Sequence, residues 1–418
     1  MKNNNALYAQ SGGVTSVINA TAAAVIQASQ SSSKITKLFA GKNGIRGVLK
    51  EELIDISLEN KQEIKKLMHT PGGVFGSCRH KLGDINSNPR EYKRLIEVFK
   101  AHQIGYFFYN GGGDSQDTTN KIAQYTIKSG FPVTCIGIPK TIDNDLPFTD
   151  NCPGFGSVAK YIATSTREAG LDVKSMADSS TKVFILEVMG RHAGWIAASA
   201  GLAKEEPSDP PHIILFPEKP FNQKSFLEEV NSCVNKIGYC VIVVSEGLKD
   251  SKGKFLSDSN QSDSFGHKQL GGVAPYLANL IKHKLGLKYH WALSDYLQRS
   301  ARHISSQVDL DQAYEVGKSA VKLALKGENA VMPIIERISN NPYRWKIGKI
   351  SLSKVANVEK KMPKNFITKN GFGITKSCKN YLKPLIQGEA SSPFKNGVIE
   401  IARLQNKLVK KKLKQFKL

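Results

Sequence analysis

The chain has 418 residues, of which 40% are hydrophobic and 23% are charged. The length favours two lobes plus an extension, and the composition suits a soluble globular protein. No apolar run reaches about 18 residues, so no membrane span is expected. The opening stretch "MKNNNALYAQSGG" lacks the apolar core of a signal peptide. Six scattered cysteines without CxxC spacing favour a reduced, cytoplasmic protein with no structural zinc site.

The net charge of +23 indicates an anionic partner, either small anionic molecules or nucleic acid. Much of the excess lies in "RLQNKLVKKKLKQFKL" at 403–418, which holds seven Lys or Arg residues and no acid. We interpret this segment as a solvated C-terminal helix. Nucleic-acid binding is the alternative from a different class, and it is disfavoured because aromatic interleaving and a helix-turn-helix pattern are missing.

Apolar strands and helical patterns alternate along the chain, which predicts parallel sheets with helices on both faces. Strand, turn and helix follow one another in residues 6–30, 89–130 and 181–203, the second unit being preceded by a further helix. The remaining predicted elements are, in chain order, a strand and loop at 34–49, a helix ending in a Gly-rich loop at 62–80, a buried strand with a loop at 131–146, a helix at 157–176 and short strands within 212–218 and 239–248.

Three turns share one geometry, an apolar strand followed by glycines and polar residues and then a helix. They are "YAQSGGVTS" at 8–16, "FFYNGGGDSQDT" at 107–118 and "EVMGRHAGW" at 187–195. Small residues let backbone N–H groups approach a phosphate, and a helix N-terminus favours negative charge. Together with "GGVFGSCR" at 72–79, they predict a phosphate-rich ligand at the carboxyl edge of a sheet. None of them matches a P-loop or a dinucleotide fingerprint.

The stretch "PKTIDNDLPF" at 139–148 carries Asp143 and Asp145 behind Lys140. In an extended segment the two carboxylates would point the same way and share one site. A carboxylate beside a phosphorylated ligand can take a proton from an attacking hydroxyl or help to hold Mg²⁺, and the lysine would neutralise a transferring phosphoryl group. From residue types alone, a capped Asx turn before the next helix explains the pattern equally well.

"PKTIDNDL" resembles the catalytic loop of the phosphofructokinase family. The stretches "SGGVTSVIN", "GGVFGSCR", "GGGDS", "EVMGRHAGW", "VVSEG" and "YLQR" follow in the family's order over roughly residues 5–330. The resemblance implies two similar α/β lobes with parallel-rich sheets flanked by helices and an active site in the cleft between them. The expected organisation is a phosphoryl-donor lobe at 1–154, a sugar-phosphate lobe at 155–296, a return segment at 297–380 that contributes to both lobes, and a basic helical extension at 381–418.

By this resemblance, Asp143 is the base that accepts the proton of the sugar's 1-hydroxyl, and Asp145 assists with magnesium or orientation. Arg191 suits the transition state because a guanidinium can fork onto phosphoryl oxygens. The remaining expected substrate contacts are Gly12 and Arg79 toward the donor, Thr141 and Ile142 in the loop, and Met189, Gly190, Glu246, Tyr296, Leu297, Gln298 and Arg299 around the sugar phosphate. Simpler alternatives exist: Glu246 as a helix N-terminal charge, Arg299 as a surface ion-pair residue and Arg191 as a loop cation.

Two positions bear on the identity of the phosphoryl donor. Members of the family that use ATP carry GGDGS and PGTIDND, whereas this chain has Asp114 and Lys140 in place of the two glycines. A carboxylate at 114 would repel the nucleotide's α-phosphate, and an ammonium at 140 would neutralise a leaving phosphate that carries no nucleotide. The chain thus resembles the pyrophosphate-dependent branch, with fructose 6-phosphate as acceptor and fructose 1,6-bisphosphate as product. An ATP-dependent enzyme is the close alternative.

Some positions depart from the family pattern. Gly113 stands where many members have a magnesium-contacting aspartate, so either Asp114 contacts Mg²⁺ or pyrophosphate and water hold the ion. Lys182 and His290 stand where arginines are expected, and Lys182 could reach the 6-phosphate of a neighbouring subunit. The resemblance therefore implies Mg²⁺ as cofactor and a homo-oligomer, most simply a dimer, whose substrates are pyrophosphate and fructose 6-phosphate.

Overall fold

A computed structural model describes residues 4–256 and 272–418. The strands are β1 (Asn5–Gln10), β2 (Leu38–Gly41), β3 (Leu53–Asp55), β4 (Ile104–Gly111), β5 (Thr134–Pro139), β6 (Val183–Val188), β7 (Ile213–Leu215), β8 (Cys240–Ser245), β9 (Tyr289–Leu293), β10 (Val331–Asn340), β11 (Tyr343–Ser351), β12 (Phe394–Lys395) and β13 (Val398–Ile399). The helices are α1 (Ile18–Gln30), α2 (Ile45–Leu49), α3 (Lys61–Lys66), α4 (Arg90–Ala101), α5 (Gly113–Lys128), α6 (Phe155–Met176), α7 (Trp195–Ser199), α8 (Gln223–Ile237), α9 (Val273–Leu285), α10 (Asp295–Ser300), α11 (Gln307–Leu325), α12 (Leu352–Val355) and α13 (Lys376–Leu382). Short 3₁₀ turns lie at Ile56–Leu58, Leu67–His69, Ala200–Leu202, Arg302–Ile304, Lys364–Phe366 and Lys383–Ile386. No helix in the described ranges is long and apolar enough to cross a membrane.

Two sheets define two lobes. The first has seven strands in the order β11-β10-β5-β4-β1-β2-β3, and the second has four strands in the order β7-β8-β6-β9. All pairings in the second sheet are parallel, and antiparallel pairing in the first is confined to its two edges. This architecture confirms the predicted α/β fold with parallel-rich sheets flanked by helices.

The central strands are buried on both faces, as continuous apolar runs predict. In the first sheet Tyr8 pairs with Phe108, which pairs in turn with Ile136, and all three side chains are buried. Helices α1 and α11 cover one face of this sheet. They pack so closely that a Cβ on Gly317 would lie only 2.6 Å from the carbonyl oxygen of Thr21. The chain passes to the second sheet through α6 and returns through α11 to β10.

Two predictions about local structure were wrong. Residues 45–49 form helix α2 where a loop was expected. The segment 403–418, expected to be helical, is extended and lies along the edge of the first sheet, where Val409 donates its N–H to the carbonyl of Leu53 at 2.9 Å. Its residues have adequate helix propensity, but contacts with the lobe satisfy the backbone and override that propensity. Further contacts come from Glu51, Glu59 and Glu63, which accept tail N–H groups, and from Arg90 and Arg94, which donate to tail carbonyls.

Candidate active site

A cleft of about 860 Å³ lies where the carboxyl ends of the strands in both sheets meet. This is the position at which open α/β sheets bind ligands, because loops and helix N-termini converge there. Fourteen of the residues predicted from the sequence line it: Gly12, Arg79, Asp114, Lys140, Thr141, Ile142, Asp143, Asp145, Met189, Arg191, Glu246, Tyr296, Gln298 and Arg299.

The side of the cleft lined by Gly12, Gly112 and Lys140 is called the donor half, after the expected phosphoryl-donor lobe, and the turn after β1 forms its floor. Gly12 has φ +73°, a backbone conformation that side chains rarely adopt, and its N–H donates to the carbonyl of Cys78 at 3.0 Å. A Cβ on Gly13 would lie 2.4 Å from a guanidinium nitrogen of Arg299, so a larger residue there would displace that side chain. Arg299 belongs to α10 in the other lobe, and it therefore reaches across the cleft to the donor half.

Lys140 is buried at the end of β5, and its ammonium donates to the carbonyl of Gly13 at 2.6 Å. Burial and the neighbouring charge of Arg299 lower the pKa of Lys140 to about 8, against the opposing effect of Asp143 and Asp145. At neutral pH the ammonium still carries its proton, so the donor half presents a positive charge.

Asp143 and Asp145 both face this cleft, although the segment between them is not extended as expected. Asn144 has φ 54° and its side chain is fully buried, so the chain turns at this residue while the two aspartates remain on the cleft side. Burial raises the pKa of Asp143 to about 7, with further contributions from the charges of Asp145 and Glu246. The pKa of Asp145 is also raised, chiefly by burial. A carboxylate that titrates near neutrality is suited to accept a proton and to release it.

Asp114 lies in the first turn of α5, directly after Gly112 and Gly113. All three residues line the donor half of the cleft. A carboxylate therefore lies in the first turn of α5, at the helix end that an anionic ligand would otherwise approach.

The loop after β6 and the end of β8 form the sugar half. Gly190, at φ +129°, donates its N–H to a carboxylate oxygen of Glu246 at 3.3 Å. Met189 donates its N–H to Oε1 of Gln298 at 3.3 Å, which ties this loop to α10. Burial raises the pKa of Glu246, so the carboxylate lies in a partly desolvated position from which it can accept hydrogen bonds.

Helix α10 contributes Tyr296 and Arg299, whose guanidinium lies 3.9 Å from the centre of the tyrosine ring. Burial lowers the pKa of Arg299, and the nearby charge of Arg79 adds to this shift. Arginine remains protonated under these conditions, so the two residues offer a cationic group next to an aromatic face.

Three predicted site residues do not line the cleft. Gly190 lies just behind it, and Leu297 is 64% exposed on the outer side of α10. The ammonium of Lys182 donates to the carbonyls of Ala177 and Asp178, away from the cleft of its own chain.

The cleft also contains residues to which the sequence patterns assigned no substrate contact. Most of them lie within the quoted motifs, so taking every residue of each motif as a candidate would have found them. They are Gly13, Val14, Gly112, Gly113, Ser115, Glu187, Val188, His192, Leu293 and Asp295. Glu359 also lines the cleft, and no motif in the sequence marks it.

Among the described residues, one cluster of three His, Cys, Asp or Glu side chains has ligand atoms close enough together to hold a metal ion. It consists of His212, Cys233 and Cys240. Nδ1 of His212 accepts the N–H of Val241 at 2.9 Å, and its Nε2 lies 3.1 Å from the carbonyl of Ser208. Both ring nitrogens are therefore engaged, and the imidazole has no lone pair left for a metal.

Fold, cleft and motif order together define a phosphoryl-transfer enzyme of two α/β lobes. The Phosphofructokinase family profile matches residues 5–324, and the chain belongs to this family. It is 59% identical to the pyrophosphate–fructose 6-phosphate 1-phosphotransferase of Halomonas elongata, with all of both chains covered. Crystal structures of two enzymes called pyrophosphate-dependent phosphofructokinase are also similar. The one from Marinobacter aquaeolei is 60% identical with TM-score 0.91, and the one from Nitrosospira multiformis is 57% identical with TM-score 0.92. Each comparison covers 99% of this chain and 100% of the other.

Proposed function

We propose that the chain transfers a phosphoryl group from pyrophosphate to the 1-hydroxyl of fructose 6-phosphate, giving fructose 1,6-bisphosphate and phosphate. The observation that carries this proposal is the presence of Asp114 and Lys140 in the donor half of one cleft. Asp114 takes the space and charge that a nucleotide's α-phosphate would need, and Lys140 offers an ammonium to the leaving phosphate. Relatives named for pyrophosphate, with 56–59% identity over nearly the whole chain, support the same donor.

Asp143 acts as the base of the reaction. Its carboxylate accepts the proton of the 1-hydroxyl while that oxygen bonds to the terminal phosphorus of pyrophosphate and the bond to the bridging oxygen breaks. The leaving phosphate departs with the bridging electron pair, which the ammonium of Lys140 stabilises. In the reverse direction the protonated Asp143 returns its proton to the sugar oxygen. A pKa of about 7 allows both steps near neutral pH.

The sugar half of the cleft orients the acceptor. Glu246 accepts hydrogen bonds from sugar hydroxyls, and Met189 and Tyr296 provide apolar and aromatic surface. Arg191 faces the cleft next to Asp143 and lowers the pKa of that carboxyl by its charge. Its guanidinium is placed to fork onto oxygens of the transferring phosphoryl group.

The carboxylate side chains of the cleft suit Mg²⁺, which prefers oxygen ligands and retains several waters. Oδ1 of Asp145 is buried and has no hydrogen-bond partner in the described part of the chain, so it can accept a cation or a metal-bound water. Asp114 would contact the ion from the donor side, and pyrophosphate would supply further oxygens. When bound, Mg²⁺ would neutralise charge on the phosphoryl oxygens.

We infer that the enzyme works as a dimer through the edge of the second sheet. Strand β9 is the last strand of that sheet, and Trp291 and Leu293 are 43% and 41% exposed on it. His290 is exposed on the same strand, and Lys182 lies on the neighbouring strand end. Lys182 and His290 would then approach the sugar 6-phosphate of a partner subunit. A cytoplasmic location stays a prediction from the sequence.

The deciding experiment measures fructose 1,6-bisphosphate formation from fructose 6-phosphate and Mg²⁺, with pyrophosphate or ATP as the only variable. Product with pyrophosphate alone is the expected result. Product with ATP alone would retain the family and overturn the roles of Asp114 and Lys140. Product with neither donor would reject the proposed reaction for this acceptor.

A further inference from the structure

Lys360 lies in the segment between β11 and α13, beyond residues 5–324 that the family profile matches. Its ammonium donates three hydrogen bonds, to Oδ1 of Asn144 at 3.0 Å, to the carbonyl of Thr149 at 3.1 Å and to the carbonyl of Asp150 at 2.9 Å. Its backbone N–H donates to the carbonyl of Asp145 at 2.6 Å. All the donors of this residue therefore go to the loop that carries the two cleft aspartates.

The central residue of that loop depends on the same contacts. Asn144 is fully buried and adopts φ 54°, a conformation that persists where neighbouring groups fix it. Its Oδ1 also accepts the N–H of Cys152 at 3.0 Å, and its Nδ2 donates to the hydroxyl of Tyr381 at 3.0 Å. Tyr381 lies on α13, so a second residue beyond the family profile holds the loop from behind the cleft.

The surroundings of Lys360 fit a fixed support rather than a ligand-binding cation. The indole Nε1 of Trp195 donates to its carbonyl at 3.3 Å, and its ammonium lies 5.4 Å from the centre of that ring. Burial lowers the pKa of Lys360. The residue does not line the cleft, whereas its neighbour Glu359 does.

We propose that Lys360 is a positioning residue for phosphoryl transfer, which holds Asn144 and the backbone of Asp145 so that both cleft aspartates keep their orientation. This inference rests on the proposed function for its kinetic consequence. It assigns a role in the reaction to a segment that carries no family motif. Tyr381 acts in the same way through its single hydroxyl. Misplacement of a reacting group by about 1 Å can lower a rate about 100-fold, so the support is worth a measurable share of turnover.

The test compares Lys360→Met with Lys361→Met, a change at the exposed neighbouring lysine. In steady-state assays with pyrophosphate and fructose 6-phosphate, kcat of Lys360→Met should fall about 100-fold while both KM values stay within about threefold. Lys361→Met should match the wild type. A kcat of Lys360→Met within about threefold of the wild type, or a loss confined to KM, would overturn the proposal.

Hydrogen exchange provides a readout that does not depend on the reaction. Amides of residues 141–150 should exchange faster in Lys360→Met than in the wild type, and should be unchanged in Lys361→Met. Inactivity of the wild-type enzyme with both substrates would reject the proposed function and leave this measurement to judge Lys360. Lost turnover with unchanged exchange in the loop would overturn the positioning role.

Tyr381→Phe keeps the proposal testable if Lys360→Met fails to fold. This variant removes only the hydroxyl that contacts Asn144 and donates to the carbonyl of Asp150 at 2.5 Å, and it retains the ring beside Trp195. Its kcat should fall about tenfold at unchanged KM, with faster exchange in residues 141–150. Wild-type kcat and wild-type exchange in a folded Tyr381→Phe protein would count against the support of the loop from this segment.

Discussion

Two carboxylates in the first lobe, Glu51 beneath the C-terminal tail and Asp143 in the cleft, are withdrawn from water and behave in opposite ways. Burial alone would raise the pKa of Glu51, but hydrogen bonds from two tail amides and from His102 outweigh it and lower the pKa below its usual value. Burial, together with the negative charges of Asp145 and Glu246, raises the pKa of Asp143 to about 7.

The two pKa values differ because the two carboxylates have different hydrogen-bond partners. Glu51 accepts the N–H groups of Lys412 and Leu413 at 2.6 and 3.0 Å and lies 2.7 Å from Nε2 of His102, so the folded chain satisfies it. Asp143 faces an open cleft in which substrate must supply the missing partner. A buried acid with a complete set of donors stabilises the fold, and one left incomplete retains the capacity to take a proton.

The largest effect is expected for Asp143→Asn. The amide cannot accept the proton of the 1-hydroxyl, so the rate of fructose 1,6-bisphosphate formation should fall about 10²–10⁴-fold. Binding of fructose 6-phosphate, measured by calorimetry, should change only a few-fold because the shape of the side chain is retained. Asp172→Asn, at an exposed position of α6, is the matched control and should keep wild-type turnover. Near-wild-type rates in Asp143→Asn would remove the contrast with Glu51.

A smaller effect is expected for Asp114→Gly. Loss of this carboxylate removes a candidate contact to the Mg²⁺–pyrophosphate complex, so kcat/KM for pyrophosphate should fall about 10- to 100-fold. The kcat/KM for ATP should rise by a smaller factor than this, because removal of the repulsive carboxylate creates no adenosine pocket. Parallel assays with each donor measure both changes. A variant that uses ATP better than the wild type uses pyrophosphate would show that residue 114 alone selects the donor.

The same contrast explains what the sequence could predict. Strand pattern and parallel topology predict that three glycine-containing turns meet at one edge, which brings Gly12, Asp114 and Arg191 together. The roles of the cleft residues came from the motif resemblance. The extended tail was not predicted because its fold depends on tertiary partners such as Glu51, which no local pattern in 403–418 encodes. Lys360 was missed for the same reason, since its partners lie about 210 residues away in the chain.

The pH dependence of the rate should sharpen the comparison. The forward reaction needs ionised Asp143, so kcat/KM for fructose 6-phosphate should fall about tenfold per unit below the pKa of about 7. The forward rate should also fall at higher pH, as Lys140 loses its proton with a pKa of about 8. The reverse reaction needs protonated Asp143, so its rate should decline above the same pKa. Rates at constant Mg²⁺–pyrophosphate concentration test this, and an acid limb at the usual aspartate pKa would contradict it.

The smallest effect on turnover is expected for Glu51→Ala, although its effect on stability should be large. The variant leaves two tail amides and His102 without their acceptor in a buried position, so the free energy of unfolding should drop by about 3 kcal/mol. Glu52→Ala is the matched control, because Glu52 is partly exposed and lies 3.9 Å from Lys411, a contact worth less than about 1 kcal/mol.

Calorimetric melting of both variants and their turnover at 25 °C distinguish the two kinds of buried acid. A lower melting temperature with unchanged kcat for Glu51→Ala would confirm that this carboxylate serves the fold alone. A folded Glu51→Ala protein with reduced kcat would instead show that the tail and the cleft are coupled. That coupling would run through the first sheet, because the tail pairs with β3 at its edge while β1, β4 and β5 of the same sheet end at the donor half of the cleft. The different behaviour of Glu51 and Asp143 would then be a property of the whole lobe rather than of two independent sites.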